Sequence, residues 1–449
     1  MNITRRKFLN LSACTGMAGA TMPLWANALS ENAFAQNINS SSYKAVVLIT
    51  LIGGNDGNNM IVPISTTSYS QYAALRGAIA LPQASLLPLN GTGGSTLGPV
   101  GFHPSLANIA QRFNQKQALI VANAGPMVSD ATKEQLLSDV SLQPELLYSH
   151  PAGQAQWLSS TTAALPETGW GGRVADISAS LSGSLPPVLS ASGSSLFSVG
   201  RTVQGIALQV GGTGGTVAVP TGLQDAIRSL TQQDMLSDNL LVSEVAHLRN
   251  SAMAQQAILS EASAYGTLPT LGFSESAFGS AMKTIAQIIN GRSIIGASRQ
   301  LFYCAQGNYD THQRQLSGHA TYLTDLDSNL GAFMNALDDM GLTDEVLICT
   351  HSDFNRTMQS NATLGSDHAW GNHQLILGGG ITGGRVVGTF PDLDLGGSCD
   401  MGTQGLWIPT TSVTQMTAGI GSWMGLNTSQ IASVFPDLVK FQGGAIELV

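Results

Sequence analysis

The sequence predicts an α/β fold in which helices cover both faces of a mostly parallel sheet. Five short runs, largely aliphatic and often β-branched, show no alternation of polar and apolar residues, as strands buried on both faces do. They are 45–51, 118–122, 300–305, 345–350 and 374–377. Stretches of helical periodicity lie between them, and strands alternating with helices specify layered α/β architecture. Gly is abundant, at 51 of 449 residues, while only 10% are charged. That composition suits a compact chain rich in loops and excludes a disordered one.

The elements follow in order. Residues 1–35 read as a targeting segment: Arg5-Arg6 stands directly before Phe8-Leu9, an apolar stretch runs to Trp25, and Ala33-Phe34-Ala35 offers a small-residue cleavage site. This is the pattern of a twin-arginine export signal. The expected localisation is therefore periplasmic or secreted, with the twin-arginine export machinery as a partner. Removing Arg5, Arg6, Lys7 and Glu31 takes 19 basic and 28 acidic residues to 16 and 27, and the net charge from −9 to −11. No basic stripe remains to neutralise phosphates, which excludes nucleic acid as a partner. No later stretch reaches about 18 apolar residues, so no stable membrane span is expected.

Residues 36–42 read as a linker, and 43–449 as one domain. Helices are expected over 104–113, 277–289 and 321–340. The last carries Leu323, Leu326, Leu330, Phe333, Met334 and Leu337 at the i, i+3, i+4, i+7 spacing of one buried face. Residues 186–272 differ. A hairpin-like Gly/Thr/Val piece at 206–220 precedes a long helical pattern over 223–264, and the whole reads as an insertion or cap on the main sheet. Cys304, Cys349 and Cys399 match no zinc spacing. The first two suit buried strand positions, and one disulfide is possible in an oxidising compartment.

Ligands of open α/β sheets bind beyond the carboxyl ends of strands. The polar residues at those predicted ends are Asp56 after the first strand, then Asp310, His312 and His319 after 300–305. His351, Asp353 and Arg356 follow 345–350, and Asp367, His368 and His373 precede 374–377. Mixed nitrogen and oxygen donors of this kind suit a divalent metal, one or two ions, among which Zn, Ca, Mg and Mn are not distinguished. In Asp310-x-His312, an extended backbone puts both side chains on one face. Each residue alone has an ordinary reading: an Asp after Gly-Gly-Asn is a turn residue, His103 precedes a helix, and His247 lies on a helix surface. Their recurrence at several strand ends is what marks a site.

A nucleophile is less visible. Ser149 stands before a helical stretch, where the helix dipole would assist a hydroxyl attacking phosphorus or sulfur, but Ser149 serves equally as a cap. His150 is a candidate substrate contact, and Arg356 a candidate to neutralise a substrate oxyanion. The sequence has no Gly-x-Ser-x-Gly elbow, no Walker loop and no His-Glu-x-x-His.

Seven segments together carry a resemblance: GGNDGNNMIVP, SHPAGQAQW, TGWGGRVAD, YDTHQRQ, HSDFNRT, SDHAWGNHQLILGGGITGG and WIPTTSVTQMTAGIGSWMGL with VFPDL after it. In this order, over roughly 43–440, the chain resembles the bacterial family of domain of unknown function 1501. That family is similar to the alkaline phosphatase and sulfatase superfamily. The resemblance implies a three-layer α/β/α, alkaline phosphatase-like fold and a metal site of aspartates and histidines. The ligands it implies are Asp56, Asp310, His312, Asp353 and His368. Asp353 stands where relatives often carry Glu, Asn355 where they carry Gly, and Pro151 where they carry Phe.

Two functions are expected from these residues. The first is an exported metal-dependent hydrolase of phosphate or sulfate esters, with Ser149 as nucleophile. The alternative is a non-catalytic exported protein that binds an envelope polymer or a partner on the same fold.

Overall fold

All five apolar runs form strands of one sheet in the computed structural model. The strands are β1 (Lys44–Leu51), β2 (Ile61–Pro63), β3 (Leu87–Pro88), β4 (Val100–Phe102), β5 (Ala118–Gly125) and β6 (Val188–Ser190). They continue with β7 (Ile206–Ala207), β8 (Arg299–Gln306), β9 (Val346–Ser352), β10 (Asn372–Gly378), β11 (Val386–Gly388) and β12 (Thr411–Ser412). The structure describes residues 42–181, 183–208, 210, 221–266, 268 and 272–449. The expected export signal and residues 36–41 of the linker lie outside them, as do residues 211–220 of the hairpin-like piece.

Among the described residues the main sheet runs β11-β5-β10-β9-β1-β8-β6-β7, with β12 also on β5, and β2, β4 and β3 form a small second sheet. β1 pairs in parallel with both β8 and β9. Alternate residues of β1 serve two cores. Val47, Ile49 and Leu51 join the helices Ala277–Asn290 and Gln315–Met340 on one face. Val46 and Leu48 join Trp157, Trp170 and the helix Val413–Trp423 on the other. Helices therefore cover both faces, as the uninterrupted apolar strands require, and each buried Val or Ile contributes about 1.5–3 kcal/mol.

Two features depart from expectation. β10 is antiparallel to both neighbours, β5 and β9. The segment from Asp353 to Gly371 contains no crossover helix, so the chain turns back on itself instead of recrossing the sheet. The second departure lies in the 186–272 region. β6 and β7 extend the main sheet in parallel beyond β8, so the start of that region belongs to the sheet and is not an added cap. The helices Thr221–Asp234 and Leu240–Ala264 follow. Cys304, Cys349 and Cys399 are all free.

Four histidines are buried in the protein interior. Burial pushes the pKa of His103, His319, His351 and His373 from 6.5 down to about 3. In the unfolded chain each takes up a proton near pH 6.5, so between about pH 3 and 6.5 the unfolded state binds more protons than the folded one. Because the folded pKa is depressed, the stability is full above that window and is lost as pH falls through it. The loss is about 1.4 kcal/mol per pH unit for each histidine. The urea midpoint followed by tryptophan fluorescence should hold level from pH 8 to 7 and drop steeply from pH 6 to 5.

Candidate metal centre

The direction of β10 decides which loops meet. β1, β5, β8 and β9 share one sense, and because β10 runs against them its first residue lies at the edge where they end. The segments after β1, after β8 and between β9 and β10 therefore converge there. The last folds back on itself through an isolated antiparallel bridge between Arg356 and His368. Thr357 N donates to Asp367 O at 2.9 Å, and Ala369 N to Asn355 O at 2.8 Å. Asn355 adds side-chain ties, accepting from Gly57 N at 2.9 Å and donating to Gly371 O at 2.8 Å. At Gly53, φ is +111° and a Cβ would lie 2.5 Å from Asp310 N, so only glycine lets the first loop pass this close to the second.

Three imidazoles project into this edge, and each is held from behind by an oxygen. His150 Nδ1 meets Asp353 Oδ2 at 2.7 Å, His312 Nδ1 meets Asp367 Oδ1 at 2.9 Å, and His368 Nδ1 meets the Tyr148 carbonyl at 2.8 Å. A carbonyl or a carboxylate can only accept, so Nδ1 carries the hydrogen in each ring and Nε2 of the neutral ring presents a lone pair. The three Nε2 atoms converge on one oxygen, Asp310 Oδ1. His312 lies 2.9 Å from it, His150 3.6 Å and His368 3.7 Å. His312 Nε2 and His368 Nε2 are 3.1 Å apart.

Asp310 is half exposed, but its neighbour Arg356 has a side chain with no exposed surface. The guanidinium donates to Asp310 Oδ1, to the carbonyls of Gly53 and Gly54, and to Ser366 O at 3.1 Å. Burial works against the charge of Asp310, yet the Arg356 hydrogen bond and charge outweigh it and hold the carboxyl below its usual range. Burial lowers the pKa of His368, with Arg356, His150 and His312 lowering it further, so its ring is neutral at pH 7.

The structure distributes the expected site residues unevenly. Asp310, His312 and His368 come together, joined by His150, which was expected as a substrate contact. Asp353 stands behind His150: its Oδ2 also accepts from Gly53 N at 3.0 Å and from Gln154 at 3.1 Å. Asp56 has other partners, Arg76, Gln315 and Asn58 N, and is wholly buried. Arg356, expected to meet a substrate oxyanion, is enclosed and spends its donors within the protein. Ser149 is the N-cap of the helix His150–Ser159, but its hydroxyl makes no capping bond. His351 bonds Thr50 and stacks on Trp157, and His373 accepts from Asn123 N, so both belong to the sheet's interior. Sequence reasoning missed the orienting roles of Asp367 and the Tyr148 carbonyl. The adjacency Asp367-His368 was the available sign of the first, and no side chain signals the second.

The helix carrying His150 crosses so near β9 that a Cβ on Gly153 would fall on the Asp353 carbonyl. Gly153→Ala should therefore cost about 1–3 kcal/mol in urea unfolding, as overpacking does. The displaced helix should also weaken metal binding in a titration with zinc.

The donor set fits a divalent ion. His150, Asp310 and His368 offer ligand atoms all within 4.8 Å of one another. Ligands about 2.0–2.1 Å from one tetrahedral ion sit about 3.3 Å apart, and the three separations to Asp310 Oδ1 and the one between His312 and His368, from 2.9 to 3.7 Å, bracket that value. His150 Nε2 is buried without a hydrogen-bond partner. With Nδ1 of both rings carrying the hydrogen, the Nε2 lone pairs of His312 and His368 face one another across 3.1 Å, a contact that a shared proton or a metal ion relieves. Histidines whose far nitrogen is held by a carboxylate or carbonyl are the usual form of a metal ligand.

Comparison with solved structures finds partial overlaps. The lipoteichoic acid synthase LtaP from Listeria monocytogenes is 8% identical over 89% of this chain and 78% of its own, with a TM-score of 0.33. The PsFucS1 sulfatase from Pseudoalteromonas sp. is 11% identical over 82% and 68%, at 0.33. The phosphonate monoester hydrolase of Agrobacterium radiobacter is 9% identical over 86% and 74%, at 0.35. At these scores the overlap is loose, and the case for the site rests on its own geometry. No curated protein sequence matches the chain. A family model, described as protein of unknown function (DUF1501), matches residues 43–435, and the chain belongs to that family.

Proposed function

We propose that this protein is an exported, metal-dependent hydrolase of phosphate or sulfate esters. One observation carries the reading: three imidazole Nε2 atoms converge on Asp310 Oδ1 while each Nδ1 is held by an oxygen. His150, Asp310, His312 and His368 would hold the ion. When bound, a divalent ion supplies Lewis acidity toward an ester oxygen and the charge to stabilise a developing oxyanion. Asp353, Asp367 and the Tyr148 carbonyl keep the three rings turned with Nε2 toward Asp310. Arg356 balances Asp310 from the protein side without reaching solvent. Ser149 is the proposed nucleophile, since it adjoins His150 and its hydroxyl is not used as a cap. Export by the twin-arginine route, expected from the N-terminal sequence, places the chemistry outside the cytoplasm. Among the described residues no helix is long and apolar enough to cross a membrane.

A second reading has its own observation. Asp56 and Asp310 already have arginine counter-ions, Arg76 and Arg356, so a non-catalytic binding protein on this fold needs no ion for neutrality. Metal analysis of the natively exported protein separates the two, followed by a screen of phosphate and sulfate esters. The hydrolase reading expects bound metal, turnover of at least one ester class, and loss of both in Asp310→Ala. Metal-free protein that is silent on every ester sinks it.

A further inference from the structure

We propose that the centre holds one ion per chain, with the Arg356 guanidinium as its permanent second cation. This rests on the metal-site reading above. A two-ion centre places its ions about 3.5–4 Å apart and needs ligands enough for both. Four strand-end acids are at hand, and three are already engaged. Asp56, with no exposed side-chain surface, is bonded by Arg76, Gln315 and Asn58 N. Asp353 Oδ2 receives Gly53 N, Gln154 and His150. Asp367 Oδ1 receives His312 and Asn361. Asp353 Oδ1 is buried without a partner, but Oδ2 of the same carboxylate bonds His150 at Nδ1, on the side of the ring away from the Nε2 atoms that gather at Asp310.

Asp310 is the acid left to bridge two ions, and its other neighbour is Arg356. That guanidinium is locked by Gly53 O, Gly54 O and Ser366 O and cannot swing away without leaving buried carbonyls unpaired. A fixed positive charge touching that carboxylate repels a second ion and supplies part of what that ion would contribute. The loaded centre is then a single divalent ion held by three imidazoles and one carboxylate, backed by one arginine.

The test is stoichiometry, read without any activity assay. The full exported chain is saturated with zinc chloride, and separately with manganese chloride, then desalted and measured by elemental analysis against protein concentration. The expected ratio is one ion per chain. Asp56→Asn should keep that ratio, and Asp310→Asn should fall below a tenth of it. Two ions per chain overturns the proposal while leaving the hydrolase reading intact, as does loss of the ion in an Asp56→Asn protein with native circular dichroism. No bound ion under either metal overturns the functional reading itself, and this proposal with it. If Asp56→Asn does not fold, the wild-type ratio alone decides.

Discussion

Asp310→Ala should strip the centre of its ion, weakening zinc affinity more than about 100-fold and abolishing ester hydrolysis. The floor comes from lesser changes: removing a group that only orients a metal ligand costs about 10–100-fold. Asp353→Asn and Asp367→Asn fall in that range, because an amide can turn its NH2 toward Nδ1 and reverse the ring's hydrogen pattern. Asp310 does more, since all three Nε2 atoms converge on its Oδ1. Competition against a zinc chelator at fixed pH measures each step. The order expected is wild type tightest, the two Asn variants intermediate and Asp310→Ala without measurable binding. Equal affinities for Asp310→Ala and Asp353→Asn would show that the carboxylate is not a ligand.

Asp56→Ala should produce the largest loss of stability, about 3–5 kcal/mol, with little direct effect on the ion. Arg76 and Asp56 form an ion pair in which neither side chain is exposed. Arg76 also reaches the carbonyls of Thr357 and Met358 at 2.9 and 3.1 Å and Asn59 at 3.0 Å, so it cannot follow a lost partner into water. Breaking such a pair from one side leaves a buried charge unpaired, which is what makes it costly. Urea unfolding of Asp56→Ala and Asp56→Asn should separate charge from hydrogen bonding, with the amide retaining part of the loss. A change below about 1 kcal/mol in the alanine variant would mean that water or another acid reaches Arg76.

These two residues also measure how far the site could be read in advance. Asp56 and Asp310 look alike in sequence, each following a turn that contains Gly-Asn after an apolar strand. Their difference lies in Arg76, 20 residues beyond Asp56 on the helix Thr66–Arg76, and in Gln315, 259 residues away. Both contacts depend on how that helix and the helix Gln315–Met340 pack, which no local pattern encodes. His150 is the converse case. Ser149-His150 stood out as polar residues at a helix start, but the proposed role of His150 as a ligand rests on Asp353 lying behind it across 203 residues. The Tyr148 carbonyl was beyond reach, because every residue has a carbonyl and only the turn at Tyr148, with φ at +71°, aims this one at His368.

By itself the sequence determined the layered architecture, since short apolar runs rich in β-branched residues and separated by helical stretches suit strands covered on both faces. It determined the edge of the sheet where polar chemistry gathers, because five of the eight histidines, each set accompanied by an acid, adjoin the ends of those runs. The tertiary structure alone decided the direction of β10, and with it that His368 faces Asp310 across one edge. It also decided that, of two acids each paired with a buried arginine, Asp310 stays half exposed and Asp56 is wholly buried. The physical reason is one of range. Periodicity and strand ends are written within a few residues, whereas a carboxylate's role depends on the cation that packing brings to it.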